Sequence, residues 1–253
     1  MPSRHPATRL VLATVATMVL AACSPAPQPS PSEDSTATAP DAGAARELTR
    51  MNDQRDAFIA RCLKNVIPTE NGEPATSDSC NTAFQKARQA QDAARILIQA
   101  HKTEGAASAT SLEQLKTRLS QINWTDEQVG GSTLASGRVA PFDAVITQRN
   151  NRQYLAFNWS GPAGEVPVNI AYALLLEGAQ LELVACNTAL TDEAGLAWHV
   201  TGTDSDPFNL VTYSRVGPSG TALSSYSAST PLDKNAMTLE SLRATDSDWV
   251  ACN

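Results

Sequence analysis

From Ala44 onward, apolar side chains return every three or four residues: Leu48, Met51, Phe58, Ile59, Cys62 and Val66, with Arg55 the polar member of the series. That period predicts an amphipathic helix reaching about Asn65 and stopping before Pro68. Residues 67–79, with Pro68, Asn71-Gly72 and Pro74, read as a loop. A second helix is expected from Ser79, as its cap, to about His101, with Phe84, Ala87, Ala90, Ala94, Leu97 and Ile98 on one side. A third is announced by Thr110-Ser111-Leu112-Glu113, a Thr-x-x-Glu capping box, and groups Leu112, Leu115, Leu119 and Ile122.

The helical period fades after Trp124, and Gly130-Gly131 marks a boundary. Short β-rich runs follow between turn residues: 138–147, 153–159, 166–176, 180–186, 196–201, 209–216, 222–227 and 249–252. Gln180-Leu181-Glu182-Leu183-Val184 alternates polar with apolar, as a strand with one wet face does. Residues 171–176 are nearly all apolar, which leaves a buried strand and a short helix both open. The expected fold class is therefore α+β: a disulfide-stapled helical unit of about three helices over 44–122, then a mainly antiparallel β domain over 123–253, built as a meander, sandwich or small barrel. Val-Ala-Cys-Asn recurs at 184 and 250 and Thr-Asp-Ser-Asp at 203 and 245, but the two spacings differ, which argues against a duplicated domain.

Ahead of the helices lies a different kind of chain. Residues 24–43 are rich in Pro, Ser, Ala and Thr and have almost no large apolar side chains, so they read as a tether, with a reach of roughly 25 Å. Before it, Arg4 and Arg9 precede a 13-residue apolar run, 10–22, that ends at Leu20-Ala21-Ala22-Cys23. The run is short of the roughly 20 residues a membrane-spanning helix needs. A basic start, a short apolar stretch and small residues before the cut are the marks of a secretory signal peptide. The tetrapeptide resembles the lipobox of bacterial lipoprotein precursors. That resemblance implies removal of 1–22, acylation of Cys23 with palmitate-like chains, and attachment to the membrane through lipid. Ser24 stands where an aspartate would favour the inner membrane, so the implied address is the outer membrane, facing the periplasm.

Charge narrows the partners. Without residues 1–22 the chain carries 17 Lys and Arg against 26 Asp and Glu, a net charge of −9. Residues 41–121 are near balance at +1, whereas 122–253 carry −8. Nucleic acid and anionic membrane surfaces need positive patches, so both are disfavoured; a basic protein partner is not. Setting Cys23 aside leaves Cys62, Cys80, Cys186 and Cys252, an even number that reads as two disulfides in an exported chain. Pairing Cys62 with Cys80 and Cys186 with Cys252 keeps each bridge within one half of the chain.

Candidate chemistry is sparse. No nucleophile elbow, metalloprotease helix or phosphate-binding loop is present, and no motif calls for a cofactor. His101 falls at the expected end of the second helix, where an imidazolium would meet the negative end of the dipole. His199, near Asp192 and Glu193, could be oriented by a carboxylate as a base, against the plainer reading of a strand-surface histidine beside a packed Trp198. Asp204 with Asp206 and Asp246 with Asp248 offer alternate carboxylates of the kind calcium takes, but neither pair has the full loop pattern, and both suit ordinary turns. Trp124, Trp159, Trp198 and Trp249 could line a sugar-binding face or pack in a core. No catalytic residue is assigned. The expected function is that of a non-enzymatic, lipid-anchored periplasmic protein that binds another protein, for instance an inhibitor or immunity protein against an envelope-attacking effector. The alternatives are an envelope-associated hydrolase or carbohydrate-binding lipoprotein, and a structural component of an envelope assembly.

Overall fold

A computed structural model describes residues 42–64, 75–102, 111–129, 132–149, 152–162, 169–187, 193–215, 223–232 and 238–252. Leu20-Ala21-Ala22-Cys23 and most of the tether lie outside the described residues. Everything described belongs to the unit Asp41–Asn253.

The helices start where local hydrogen bonding satisfies their first amides. Helix α1 spans Ala42–Lys64. Its apolar packing lies in the later turns: Phe58 and Cys62 are fully buried and Ile59 packs against the core, whereas Leu48 is 60% exposed. Helix α2 (Ser77–Gln89) is capped by Thr76, whose hydroxyl accepts from Ser79 N while Ser79 Oγ accepts from Thr76 N. Ser79 is thus the third helical residue and not the cap, because Thr76 reaches the free amides one turn earlier. The single helix expected to follow is two. Ala90 leaves helical geometry at φ −100° and ψ 5°, and α3 runs over Gln91–Ala100. Helix α4 (Leu112–Arg118) begins one residue later than its expected box: Ser111 Oγ accepts from Gln114 N, and Gln114 Oε1 from Ser111 N. That shift frees Glu113 to pair with Lys116 at 3.0 Å and leaves Leu115 and Leu119 fully buried.

Nine strands form one antiparallel sheet: β1 (Thr125–Val129), β2 (Ser132–Val139), β3 (Phe142–Arg149), β4 (Arg152–Gly161), β5 (Gln180–Asn187), β6 (Glu193–Thr201), β7 (Phe208–Arg215), β8 (Ser224–Pro231) and β9 (Trp249–Val250). Their order is β1-β2-β3-β4-β8-β7-β6-β5-β9. Two four-stranded meanders, β1 to β4 and β5 to β8, therefore meet through their last strands, with Phe157 opposite Ala228 and Trp159 opposite Tyr226. The α+β class is the one the chain pattern predicts. The run at 138–147 is the β2–β3 hairpin, turning at the cis Ala140-Pro141 bond. Strand β1, exposed at every position, has no apolar face by which a sequence pattern could reveal it.

The apolar run at 170–176 is a helix, α5 (Ile170–Leu176), capped by Asn169. Ile170, Ala171, Ala173, Leu174 and Leu175 are all fully buried, since α5 packs against α1, α2 and α3 and helps fill the space over the sheet. A short helix apolar on every side is what such a position demands. Its entry is fixed by Tyr226 of β8, whose hydroxyl accepts from Ile170 N at 2.9 Å and donates to Asn169 Oδ1.

Alternation assigns the two faces of the sheet. Phe142, Ala144, Ile146, Leu155, Phe157, Tyr226, Ala228, Leu210, Trp198 and Val200 point one way, into the core they share with α1 to α5. On the opposite face, the β5–β7 end carries a separate small cluster. There Ala185 and Ala197 are covered by Leu242 of α6 (Leu239–Arg243) and by Trp249 of β9.

Candidate functional site

Two disulfides are formed. Cys62 of α1 bonds Cys80 of α2 across a Cα separation of 5.9 Å, and Cys186 of β5 bonds Cys252, just past β9, across 5.2 Å. The recurring Val-Ala-Cys-Asn tetrapeptides thus have a spatial counterpart. The copy beginning at Val184 lies in β5, and Val250 pairs with Cys186 on the neighbouring β9.

His101 terminates α3 as its C-cap, but its ring is not a solvated cation. It stacks on Phe208 with centroids 4.3 Å apart and planes within 2°, and its Nε2 lies 2.9 Å from Thr230 Oγ1. The Thr230 hydroxyl donates to the Pro231 carbonyl at 3.2 Å, so it accepts from a protonated Nε2 of a neutral ring. Burial pushes the His101 pKa down to about 4; Asp206 opposes the shift and Arg118 adds to it. The dipole interaction expected for an imidazolium is therefore replaced by packing and one neutral hydrogen bond.

His199 sits on β6 with its ring Nδ1 3.2 Å from Asn209 Oδ1, on the face opposite Trp198. Glu193 is six residues back along the same strand, roughly 20 Å at the usual rise, too far to orient the ring. Asp192 lies outside the described residues. The acidic residue directly across from His199 is Glu182 of β5.

The aspartate pairs are used within the chain. Asp204 pairs with Lys102, and the Asp206 amide donates to the His101 carbonyl. Asp246 accepts from Asn187 Nδ2 at 2.9 Å through one oxygen and from the Asp248 amide at 3.0 Å through the other. No group of three His, Cys, Asp or Glu side chains converges on a common point among the described residues. The tryptophans pack: Trp198 and Trp249 are buried, and Trp124 and Trp159 are half-buried against the main core.

What the sequence reading did not single out is the middle of the sheet's far face. Val145 and Thr147 of β3, Tyr154, Ala156 and Asn158 of β4, and Ser225, Ser227 and Ser229 of β8 share that side. All are part-exposed or exposed, and no described helix lies over them as α6 does over the β5–β7 end. In register, Ala156 stands opposite Ser229 and Asn158 opposite Ser227, and Tyr213 of β7 faces Ser227 from the other side. The patch is made mainly of small hydroxyl, amide and methyl groups, with Tyr154 as its aromatic and exposed Asp143 opposite Asn158, while Tyr213 at its border packs against Trp249. The signal for it was present as alternation: Ser225, Ser227 and Ser229 interleave with Ser224, Tyr226, Ala228 and Thr230, whose burial marks the core side.

No protein-family model, no curated protein and no solved structure matches this chain. No described helix is long and apolar enough to cross a membrane.

Proposed function

We propose that this is a lipid-anchored protein of the bacterial periplasm that works by binding another protein on the open face of its sheet, in the manner of an inhibitor or immunity protein against an envelope-targeting effector. The observation that carries this reading is the face itself. Part-exposed Val145, Tyr154, Ala156 and Ser227 share one face of strands held from behind by the main core. Small side chains on paired strands have little conformational entropy to lose when a partner covers them, and Tyr154 adds an aromatic contact. Two further features support the reading. Each histidine of the described residues hydrogen-bonds a neutral side chain, Thr230 for His101 and Asn209 for His199, which suits a packing role for both rings. The net charge of −8 over 122–253 steers a basic partner toward the sheet region. Attachment through Cys23 would keep the binding face at the membrane.

The test is capture by immobilised residues 42–253 from a detergent extract, in parallel with an Ala156→Arg variant. The expected result is one basic protein retained at near-stoichiometric level, released as salt rises, and lost with the variant. A partner held equally well by the variant, or the absence of any stoichiometric partner, overturns the proposal.

A further inference from the structure

The two disulfides differ in a way their shared chemistry hides. Cys62 and Cys80 are 1% and 0% exposed, sealed between α1 and α2, whereas Cys186 and Cys252 are both part-exposed. They also hold different things. The first bridge lies within the main core, together with Phe58 and Phe84. The second ties the C-terminal segment, α6 and the edge strand β9, to β5, beside a far-face cluster separate from that core. Besides the bridge, the segment is held by the packing of Leu242 and Trp249 on Ala185 and Ala197 and by contacts at the sheet edge. Strand β9 has two register pairs, Cys186 with Val250 and Asn187 with Trp249. Asn187 Nδ2 donates across to Asp246 Oδ2 at 2.9 Å, and Trp249 is seated edge-on against Tyr213 at 6.0 Å. The Arg243 Nε bond to the Trp249 carbonyl runs within the segment and does not fasten it to the sheet.

We infer that the Cys186–Cys252 bond is a thiol–disulfide exchange site, open to a dithiol reductant while Cys62–Cys80 is not, and that its reduction releases α6 and β9 from the sheet as a unit. A thiolate of the dithiol attacks one sulfur of the bond, giving a mixed disulfide and one protein thiolate. The reagent's second thiol then displaces the remaining protein sulfur. Two electrons and two protons pass to the protein, leaving Cys186 and Cys252 as thiols and the reagent as its own disulfide. The main core does not depend on this bond, so the sheet and α1 to α5 persist. Release uncovers Ala185, Ala197, Val211 and Tyr213 beside the already open face, which lengthens the exposed apolar surface toward β5. A terminal segment resting on a small cluster apart from the main core opens more readily than the core itself, and the bridge keeps this one closed.

The experiment uses the full chain in detergent, titrated with dithiothreitol under native conditions, followed by alkylation and peptide mapping, with hydrogen exchange measured in parallel. The expected result is alkylation of Cys186 and Cys252 with Cys62 and Cys80 unmodified. Exchange in 238–252 should rise at least tenfold while 80–98 and 142–158 stay protected. A Cys186→Ser, Cys252→Ser double variant should reproduce that exchange pattern without reductant; measurement on the reduced natural chain stands alone if the variant does not fold. Reduction of both bonds together, reduction of Cys62–Cys80 first, or unchanged protection of 238–252 after selective reduction overturns the inference.

Discussion

His101 Nε2 and Thr230 Oγ1, 2.9 Å apart, join the end of α3 to the middle strand of the sheet across 129 residues of sequence. The ring lies flat on Phe208 of β7, and the Asp206 amide closes onto the His101 carbonyl, so helix, strand and the turn after β6 converge on one neutral imidazole. Protonating it puts a charge into a site from which water has largely been removed, beside the Arg118 guanidinium, with only Asp206 to compensate.

Acid should therefore weaken the fold before the bulk of the carboxylates titrate. An unfolded histidine takes up its proton near pH 6.5, the folded His101 only near 4. Between those values the unfolded state binds more protons. Stability is then fully present above about pH 6.5 and falls as pH drops toward 4, by about 3 kcal/mol. Urea unfolding of residues 42–253 between pH 4 and 7.5 measures the slope. A His101→Gln variant, less stable at neutral pH, should lose most of the fall; an unaltered slope in the variant would assign it to other groups.

The helical layer depends on its own bridge. Cys62 and Cys80 are 18 residues apart, and closing a loop of that size contributes about 3 kcal/mol in the chain-entropy model. The buried contacts of α1 lie in its second half, where Phe58, Ile59 and Cys62 pack against the core and Arg61 Nε donates to the Leu175 carbonyl of α5 at 2.8 Å. A Cys62→Ala, Cys80→Ala pair should lower stability by about 3 kcal/mol and raise hydrogen exchange throughout α1, with little change in β3 and β4. Uniform loss of protection over the sheet would mean that α1 is not separable from the core in this way.

A tighter test of the core comes from Gly137 on β2. A Cβ at this position would lie 2.4 Å from Ile122 Cγ2 and 3.1 Å from the Asn123 carbonyl oxygen, and Ile122 is itself 4% exposed. Neither neighbour is the loose end of a flexible side chain. Gly137→Ala should cost about 1–3 kcal/mol through forced displacement of the chain after α4. Thermal unfolding gives the value, and Ile122→Ala in the same chain should return part of the loss by making room. Equal destabilisation in both backgrounds would place the strain elsewhere.

These features differ in how far the chain pattern reveals them. Helices α1 to α4 were legible because Phe58, Cys62, Phe84, Leu97, Leu115 and Leu119 recur at helical spacing, although their caps were displaced by one turn at Thr76 and one residue at Ser111. Hydroxyl residues cluster at both starts, and which one caps depends on the direction of the chain entering the helix. The break at Ala90 leaves no mark, since alanine suits either side of it. The α+β class was legible from the alternating runs; the meeting of β4 with β8 was not, because pairing across 70 or so residues is set by how α5 fills the core and not by local pattern. His101 was visible as a helix end but not as a neutral, stacked ring, since Phe208 and Thr230 are distant in sequence. The open sheet face was hidden for the opposite reason. The run at 222–227 reads as a strand, but serine suits either side of it, so which face is open shows only in the burial of Ser224, Tyr226, Ala228 and Thr230.

Adjacent residues on β4 separate binding from folding. Phe157 points into the main core with 0% exposure, while Ala156 stands on the open face between Val145 of β3 and Ser229 of β8. Phe157→Ala should cost 3–5 kcal/mol, roughly the burial and cavity terms for a large aromatic. Ala156→Arg removes no packed group; its stem can lie along the neighbouring side chains with the guanidinium in water, so its effect on stability should stay within about 0.5 kcal/mol. On the binding side the order reverses. A bulky cation in the centre of a flat interface, facing a basic partner, adds both a steric and an electrostatic penalty, and should weaken capture by at least a hundredfold. Phe157→Ala, wherever it remains folded, should leave affinity within a few-fold of the natural chain. Denaturant melts and titration of the captured partner against both variants measure the two axes independently. If Ala156→Arg unfolds the chain, or Phe157→Ala is the substitution that loses the partner, the face between β3 and β8 is not where binding occurs.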